Sequence, residues 1–201
     1  MRYRLGFLML AAILHGCAPL SRDECPAVDW YNVGYEDGLS GRAQERVAGQ
    51  SAACTASDLE RYSRGHELGV AQFCQPGNGF TLGVRGGRYE GVCAGILEPE
   101  FLQAFEAGRE IYGAELQIRR LDEILAVNEA ERDRLGAALR RKRGELARDG
   151  ADAERRRSLA AELQELQATL EMVDNEIDGI RAALDQENRH LLSLRQASPH
   201  W

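Results

Sequence analysis

Two leucine-rich seams of similar length, separated by the pair Asp149-Gly150, restrict this chain more than any other feature. Leu121, Leu125, Leu135, Leu139 and Leu146 keep a 3-4 spacing that reaches back to Ile118, with Asn128, Arg132 and Lys142 as polar interruptions. The second run holds Leu159, Leu163, Leu166, Leu170, Val173, Ile177, Ile180, Leu184, Leu191 and Leu194. Apolar residues at that spacing form the seam of long paired helices. A reversal at Asp149-Gly150 sets Leu139 beside Leu163, Leu135 beside Leu166, Leu125 beside Ile177 and Leu121 beside Ile180. In every pair the two residue numbers add to 301 or 302, so one fold-back point aligns both seams throughout. The predicted element over residues 114–198 is an antiparallel coiled-coil hairpin, on the order of 60–70 Å long at about 1.5 Å per residue. One continuous helix pairing with a second chain is the competing arrangement, and Gly150 with the constant sum favours the hairpin. Asn128 in the seam is a candidate for setting register.

Upstream the construction changes. Of the 21 glycines, 15 lie between Gly34 and Gly113, while only four follow residue 115. They recur in a phrase of an aromatic residue, a glycine three places on and another glycine about four further. The four copies start at Tyr31, Tyr62, Phe80 and Phe105 and end at Gly38, Gly69, Gly87 and Gly113. Their spacing is irregular, so the phrase describes packing and not a solenoid. Glycine costs a helix about 1 kcal/mol relative to alanine, which close approach of a second backbone would offset. Helices are expected from residue 28 to about 48 and from about 57 to 74. Pro76-Gly77-Asn78-Gly79 is expected to break the chain, and residues 80–91 to form a short turn or loop.

Residues 1–16 have the layout of an export signal: Arg2 and Arg4, an apolar run over residues 5–14, then Gly16. Ten apolar residues are too few to cross a bilayer core, which needs about 20. Leu14-His15-Gly16-Cys17 resembles a bacterial lipobox, although His15 departs from the usual small or hydroxyl residue. It marks Cys17 as the lipidated first residue of the mature chain, with residues 17–24 as a tether. Four cysteines remain, Cys25, Cys54, Cys74 and Cys93, an even number for an oxidising compartment. Two disulfides are expected in preference to a zinc site, because no C-x-x-C pair exists and His66 is the one nearby imidazole. Three connectivities are possible. If the first two helices are antiparallel, Cys25 meets Cys74 and Cys54 meets Cys93, and those are the favoured pairs.

The net charge of −7 argues against a nucleic-acid binder, which needs a basic face. A local exception is the fold-back, where Arg140, Arg141 and Arg143 face Arg155, Arg156 and Arg157. These six are the candidate contacts for an envelope protein or an anionic glycan. Trp30, Tyr31, Tyr62, Phe80 and Tyr89 are the candidates for a small-molecule or glycan site. Asp37 and His66 could do acid–base work, but no nucleophile or metal-ligand set accompanies them; no catalytic, cofactor or metal residue is assigned.

The ordered set Trp30-Tyr31-x-x-Gly34-Tyr35-x-Asp37-Gly38-x-x-Gly41, Cys54, Tyr62-x-x-Gly65-x-x-x-Gly69-x-x-x-Phe73-Cys74, Asn78-Gly79-Phe80-x-x-Gly83, Tyr89-x-Gly91-Val92-Cys93 and Phe105-x-x-Gly108 resembles a family of bacterial envelope lipoproteins catalogued as domain of unknown function 2799. The resemblance covers residues 17–113 and implies a Gram-negative envelope lipoprotein. Ala18, where an aspartate would stand for retention, implies the outer membrane. It brings no activity. The expected protein is all-α: a disulfide-stapled, glycine- and aromatic-rich helical head over residues 25–113, then the coiled-coil hairpin. Its expected role is structural or adaptor-like, held to the membrane by its lipid, with a binding module as the alternative and an enzyme less favoured.

Overall fold

The computed structural model describes residues 25–45, 54–148 and 152–198. The export signal, Cys17, the tether and Asp149-Gly150 lie outside the described residues. Among those described, the chain is helical without strands. Five α-helices follow in order: α1 Trp30–Leu39, α2 Ala56–Phe73, α3 Pro76–Val84, α4 Glu98–Leu146 and α5 Ala153–Ala197. The all-α class is therefore as expected.

The chain forms two compact units, the first running up to Cys74 with Glu90–Ala94 added, the second holding Gln75–Tyr89 and Gly95–Trp201. The head/hairpin boundary expected at residue 113 falls inside α4, which runs for 49 residues without a break. The physical reason is that α4 serves two neighbours in succession. Its first turns pack on α3 and the remainder on α5.

In the first unit α1 and α2 cross with their backbones in contact. A Cβ on Gly34 would collide with the carbonyl oxygen of Tyr62, and one on Gly38 with that of His66. Reciprocally, Gly65 and Gly69 abut the carbonyls of Tyr31 and Tyr35. The hydrogen standing in each Cβ direction therefore points at a carbonyl oxygen of the other helix, a weak contact of about 0.5–1 kcal/mol. One turn along α1 matches one turn along α2 in the same direction, so the helices are parallel. Beside the crossing Trp30, Cys25 and Tyr62 form the core, with Val28, Val33 and Cys54 against it. The Trp30 Nε1–H donates to the Cys25 carbonyl at 2.9 Å.

Parallel helices overturn the favoured disulfide pairs. Cys25 is joined to Cys54 and Cys74 to Cys93. Cys25 and Cys54 precede α1 and α2 respectively, and a parallel crossing brings those two starts together. In an antiparallel pair they would lie a helix length apart. With sequence separations of 29 and 19, each bridge contributes about 3–4 kcal/mol in the chain-entropy description.

In the second unit α3 and the start of α4 repeat this crossing. Gly79 abuts the Phe101 carbonyl, Gly83 that of Phe105 and Gly108 that of Phe80. Pro76-Gly77-Asn78-Gly79 is thus the first turn of α3 and no breaker. Pro76 sits where a missing N–H has no helical partner anyway, and Gly79 is needed for the approach of Phe101. The third and fourth copies of the glycine phrase were misregistered for the same reason. Gly87 meets Leu82 of its own turn and Gly113 meets open space, whereas the contact positions are Gly79, Gly83 and Gly108. Ala104, wholly buried, is a small residue that a search for glycine passes over.

The rest of α4 pairs with α5 as an antiparallel hairpin. Arg195 reaches Glu115 at 2.8 Å and Arg181 reaches Glu129 at 2.7 Å, with Lys142 bonded to Glu162 nearer the reversal. Leu139, Leu159, Leu163, Ile177, Leu184 and Leu191 are the buried seam residues. Asn128 is not the register device expected of it: its amide donates to the Ile124 carbonyl of its own helix at 3.0 Å.

Two outcomes test this construction. Gly38→Ala and Gly83→Ala should each destabilise the protein by about 1–3 kcal/mol in urea unfolding, because backbone would have to move. Gly113→Ala and Gly179→Ala, which meet nothing within 4 Å, should be neutral or stabilise by up to about 1 kcal/mol. Equal effects at the two kinds of position would refute the close crossing. Non-reducing peptide mapping should recover Cys25 linked to Cys54 and Cys74 linked to Cys93; a Cys25-to-Cys74 peptide would overturn the parallel arrangement.

Candidate functional site

The acid–base candidates lie in the first unit, at the end of α1. Asp37 accepts from Arg42 Nη1 at 2.8 Å and from the Tyr62 hydroxyl at 3.2 Å. His66 Nε2 lies 2.7 Å from the Arg42 carbonyl, which can only accept, so that ring nitrogen carries the proton. The Tyr62 hydroxyl is held protonated well above its ordinary range, chiefly by burial and then by the negative Asp37 beside it. Asp37 and His66 are therefore both committed to the chain that leaves α1. Gly41, at φ 70°, turns that chain under the Phe73 ring. His66 is buried, whereas a charged or polar residue between glycines on a helix ordinarily belongs to its wet face. It occupies the core flank of the crossing, against Tyr62.

At the opposite end of α2, Thr55 and Asp58 form a reciprocal cap. The Thr55 side chain accepts from the Asp58 N–H, and Asp58 Oδ2 accepts from the Thr55 N–H at 3.2 Å and its hydroxyl at 2.7 Å. Arg61 adds an ion pair to Oδ1 at 2.8 Å. The Thr55 hydroxyl bond first, and Arg61 second, hold the Asp58 carboxyl below the usual carboxylate value.

The five aromatic candidates do not converge. Trp30 and Tyr62 are buried in the first unit's core, while Tyr31 is 42% exposed. Phe80 and Tyr89 belong to the second unit, where Tyr89 packs on Phe101 and Phe105 with centroids 5.0 and 6.1 Å away. Among the described residues no group of three or more His, Cys, Asp or Glu side chains could hold a metal ion.

The six arginines near the fold-back are all exposed, but their surroundings differ. Arg155 pairs with Glu145 at 3.4 Å and with Glu162 at 3.9 Å. Arg157 donates to the Ala153 carbonyl of its own helix at 3.1 Å. Lys142, followed by Ser158, holds the Glu162 carboxyl below its ordinary value. Arg140 and Arg143 line a groove of about 450 Å³ between the arms, with Gly136, Leu139, Leu170 and the acidic Glu171 and Asp174. At Gly136 the Arg140 guanidinium lies 3.5 Å from where a Cβ would stand. The spacing of charges in the sequence located the arginines, but not the acidic partners that neutralise some of them.

Residues 29–110 match the family model described as "Protein of unknown function (DUF2799)". No curated protein and no solved structure matches the chain. No helix among the described residues is long and apolar enough to cross a membrane.

Asp58 gives this region a defined acid dependence. Its folded pKa is depressed, so the unfolded chain binds the proton more readily, and the stabilisation is present above the ordinary value of 3.8. It is lost as pH falls through the folded value. Asp58→Asn should therefore be less stable than wild type at neutral pH, with the gap narrowing between about pH 5 and about pH 2. Thermal melts across that range check it, and a gap independent of pH would refute the cap.

Proposed function

We propose, from the match of residues 29–110 to that family model and from the export signal, that the protein is an outer-membrane lipoprotein, anchored through Cys17, that acts as a structural adaptor in the periplasmic envelope. The α4–α5 hairpin carries the reading. It supplies reach, about 1.5 Å for each residue of its arms, and its seam has the heptad spacing of a coiled coil. Its partner is an envelope protein or an anionic glycan, met at the fold-back end by Arg140 and Arg143, which line the groove there. The lipid fixes one end of the chain to a membrane, and the hairpin carries a basic surface away from its own base.

The commitment of Asp37 and His66 to the turn after α1 weighs against an enzyme. The burial of Trp30 and Tyr62 weighs against a ligand site built from the aromatic residues.

A photo-crosslinking residue placed at Arg143 in cells should capture a specific envelope component. Arg140→Glu with a crosslinker at a neighbouring position should lose most of that product while leaving the circular dichroism unchanged, since the side chain is exposed. A hairpin tip that captures nothing specific, or whose product ignores the charge reversal, would refute the adaptor role.

A further inference from the structure

The two glycine crossings are copies of one module. Gly34, Gly38 and Gly41 correspond to Gly79, Gly83 and Gly86, each 45 residues on; Gly65, Gly69 and Phe73 correspond to Ala104, Gly108 and Tyr112, each 39 residues on. The correspondence extends to the contacts of the paired glycines. Gly69 abuts the Tyr35 carbonyl and the Leu39 nitrogen, and Gly108 abuts the Phe80 carbonyl and the Val84 nitrogen. Gly41 turns at φ 70° under the Phe73 ring, and Gly86 at φ 67° under the Tyr112 ring. Cys54 and Cys93 share the 39-residue offset.

The equivalent outer faces are not treated alike. In the second copy Phe80 and Val84 are half-buried and pack on the cluster of Ile111, Ala114 and Leu191, with Leu194 beside it. Leu191 and Leu194 belong to α5, so that face is covered by a helix. In the first copy the matching stripe of α1, at i, i+4 and i+8, is Tyr31, Tyr35 and Leu39. Tyr31 is 42% and Leu39 45% exposed. Leu68, on the flank of α2 away from Tyr62 and His66, is 53% exposed. Arg64, four residues before Leu68 on that flank, is exposed and basic, while Arg61, seven before it, is paired with Asp58.

We propose that this face of the first module, centred on Tyr35, Leu39 and Leu68, is a docking site for an amphipathic α-helix of a partner protein. That helix carries leucines three residues apart with acidic residues beside them. The copy in which the same face is covered by a helix identifies the kind of occupant, and Arg64 identifies its charge. The leucines of α5 are already used in the second copy, so the occupant comes from another protein. This surface is independent of the hairpin tip.

The chain itself supplies a probe. A fluorescein-labelled peptide of residues 177–198 carries Leu191 and Leu194 with Asp185 and Glu187 nearby. Fluorescence anisotropy should show it binding the full-length protein saturably. Leu39→Gln combined with Leu68→Glu should weaken binding at least about tenfold, with the far-ultraviolet spectrum and melting temperature kept because both residues are exposed. Arg64→Glu should weaken it as well, and a peptide carrying Leu191→Asp and Leu194→Asp should not bind. Three results would overturn the proposal. One is no binding. Another is binding indifferent to the changes at Leu39 and Leu68, which would mean exchange at the second copy. The third is a wild-type dimer in sedimentation that those changes dissolve, since a second copy of this chain would then be the occupant. Crosslinking from Arg143 is untouched by any of these outcomes, so the two proposals fail separately.

Discussion

Everything in the glycine-rich region depends on backbone meeting backbone between parallel helices. A side chain at Gly34, Gly38, Gly65 or Gly69 would stand where the carbonyl of the other helix stands. The missing Cβ atoms let two short helices come close enough to bury Trp30 and Tyr62 beside them. Parallel direction has a further consequence. The two helix starts, and the cysteines that precede them, share one end. A ten-residue helix such as α1 is marginal alone, and a disulfide at the common start stabilises the pair.

The same module appears twice but is completed in different ways. In the second copy the later helix continues beyond the crossing into the hairpin, and the returning arm brings Leu191 and Leu194 to its outer face. The hairpin is thus part of the second module's core as well as an extension from it. The ion pairs along its flanks, Arg181 with Glu129 and Arg195 with Glu115, join half-exposed groups. Such pairs are worth about 0–1 kcal/mol each, so they favour the register more than they stabilise the arms. Burial of the leucine seam carries the energy.

Polar groups in the first unit follow one logic. Asp37, Arg42, Tyr62 and His66 are bound to each other or to the backbone where α1 ends, and no buried side-chain polar atom among the described residues lacks a hydrogen-bond partner. Burial of these groups in a unit this small costs free energy unless each is satisfied. They hold Gly41 and the chain after it in place.

Periodicity alone determined the helical class and the folded-back seams. A 3-4 spacing of leucines over such a length buries itself by pairing long helices, and the common sum of the paired residue numbers favoured a fold-back within one chain over a second chain. The presence of two disulfides was equally legible from the cysteine count. Their pairing was not, because it depends on whether α1 and α2 run parallel or antiparallel, and the same glycine spacing suits both. Nor could spacing distinguish Gly113, which touches nothing, from Gly108, which touches Phe80, or identify Ala104 as the fourth member of the set. At the fold-back end the arginines were evident from their run in the chain, yet the neutralisation of Arg155 depends on Glu145 approaching from the other arm. The pattern of residue types thus determines what each segment can bury. Only the tertiary structure decides which backbone fills the space left by a missing Cβ, because that choice rests on chain direction and contact between segments far apart in sequence.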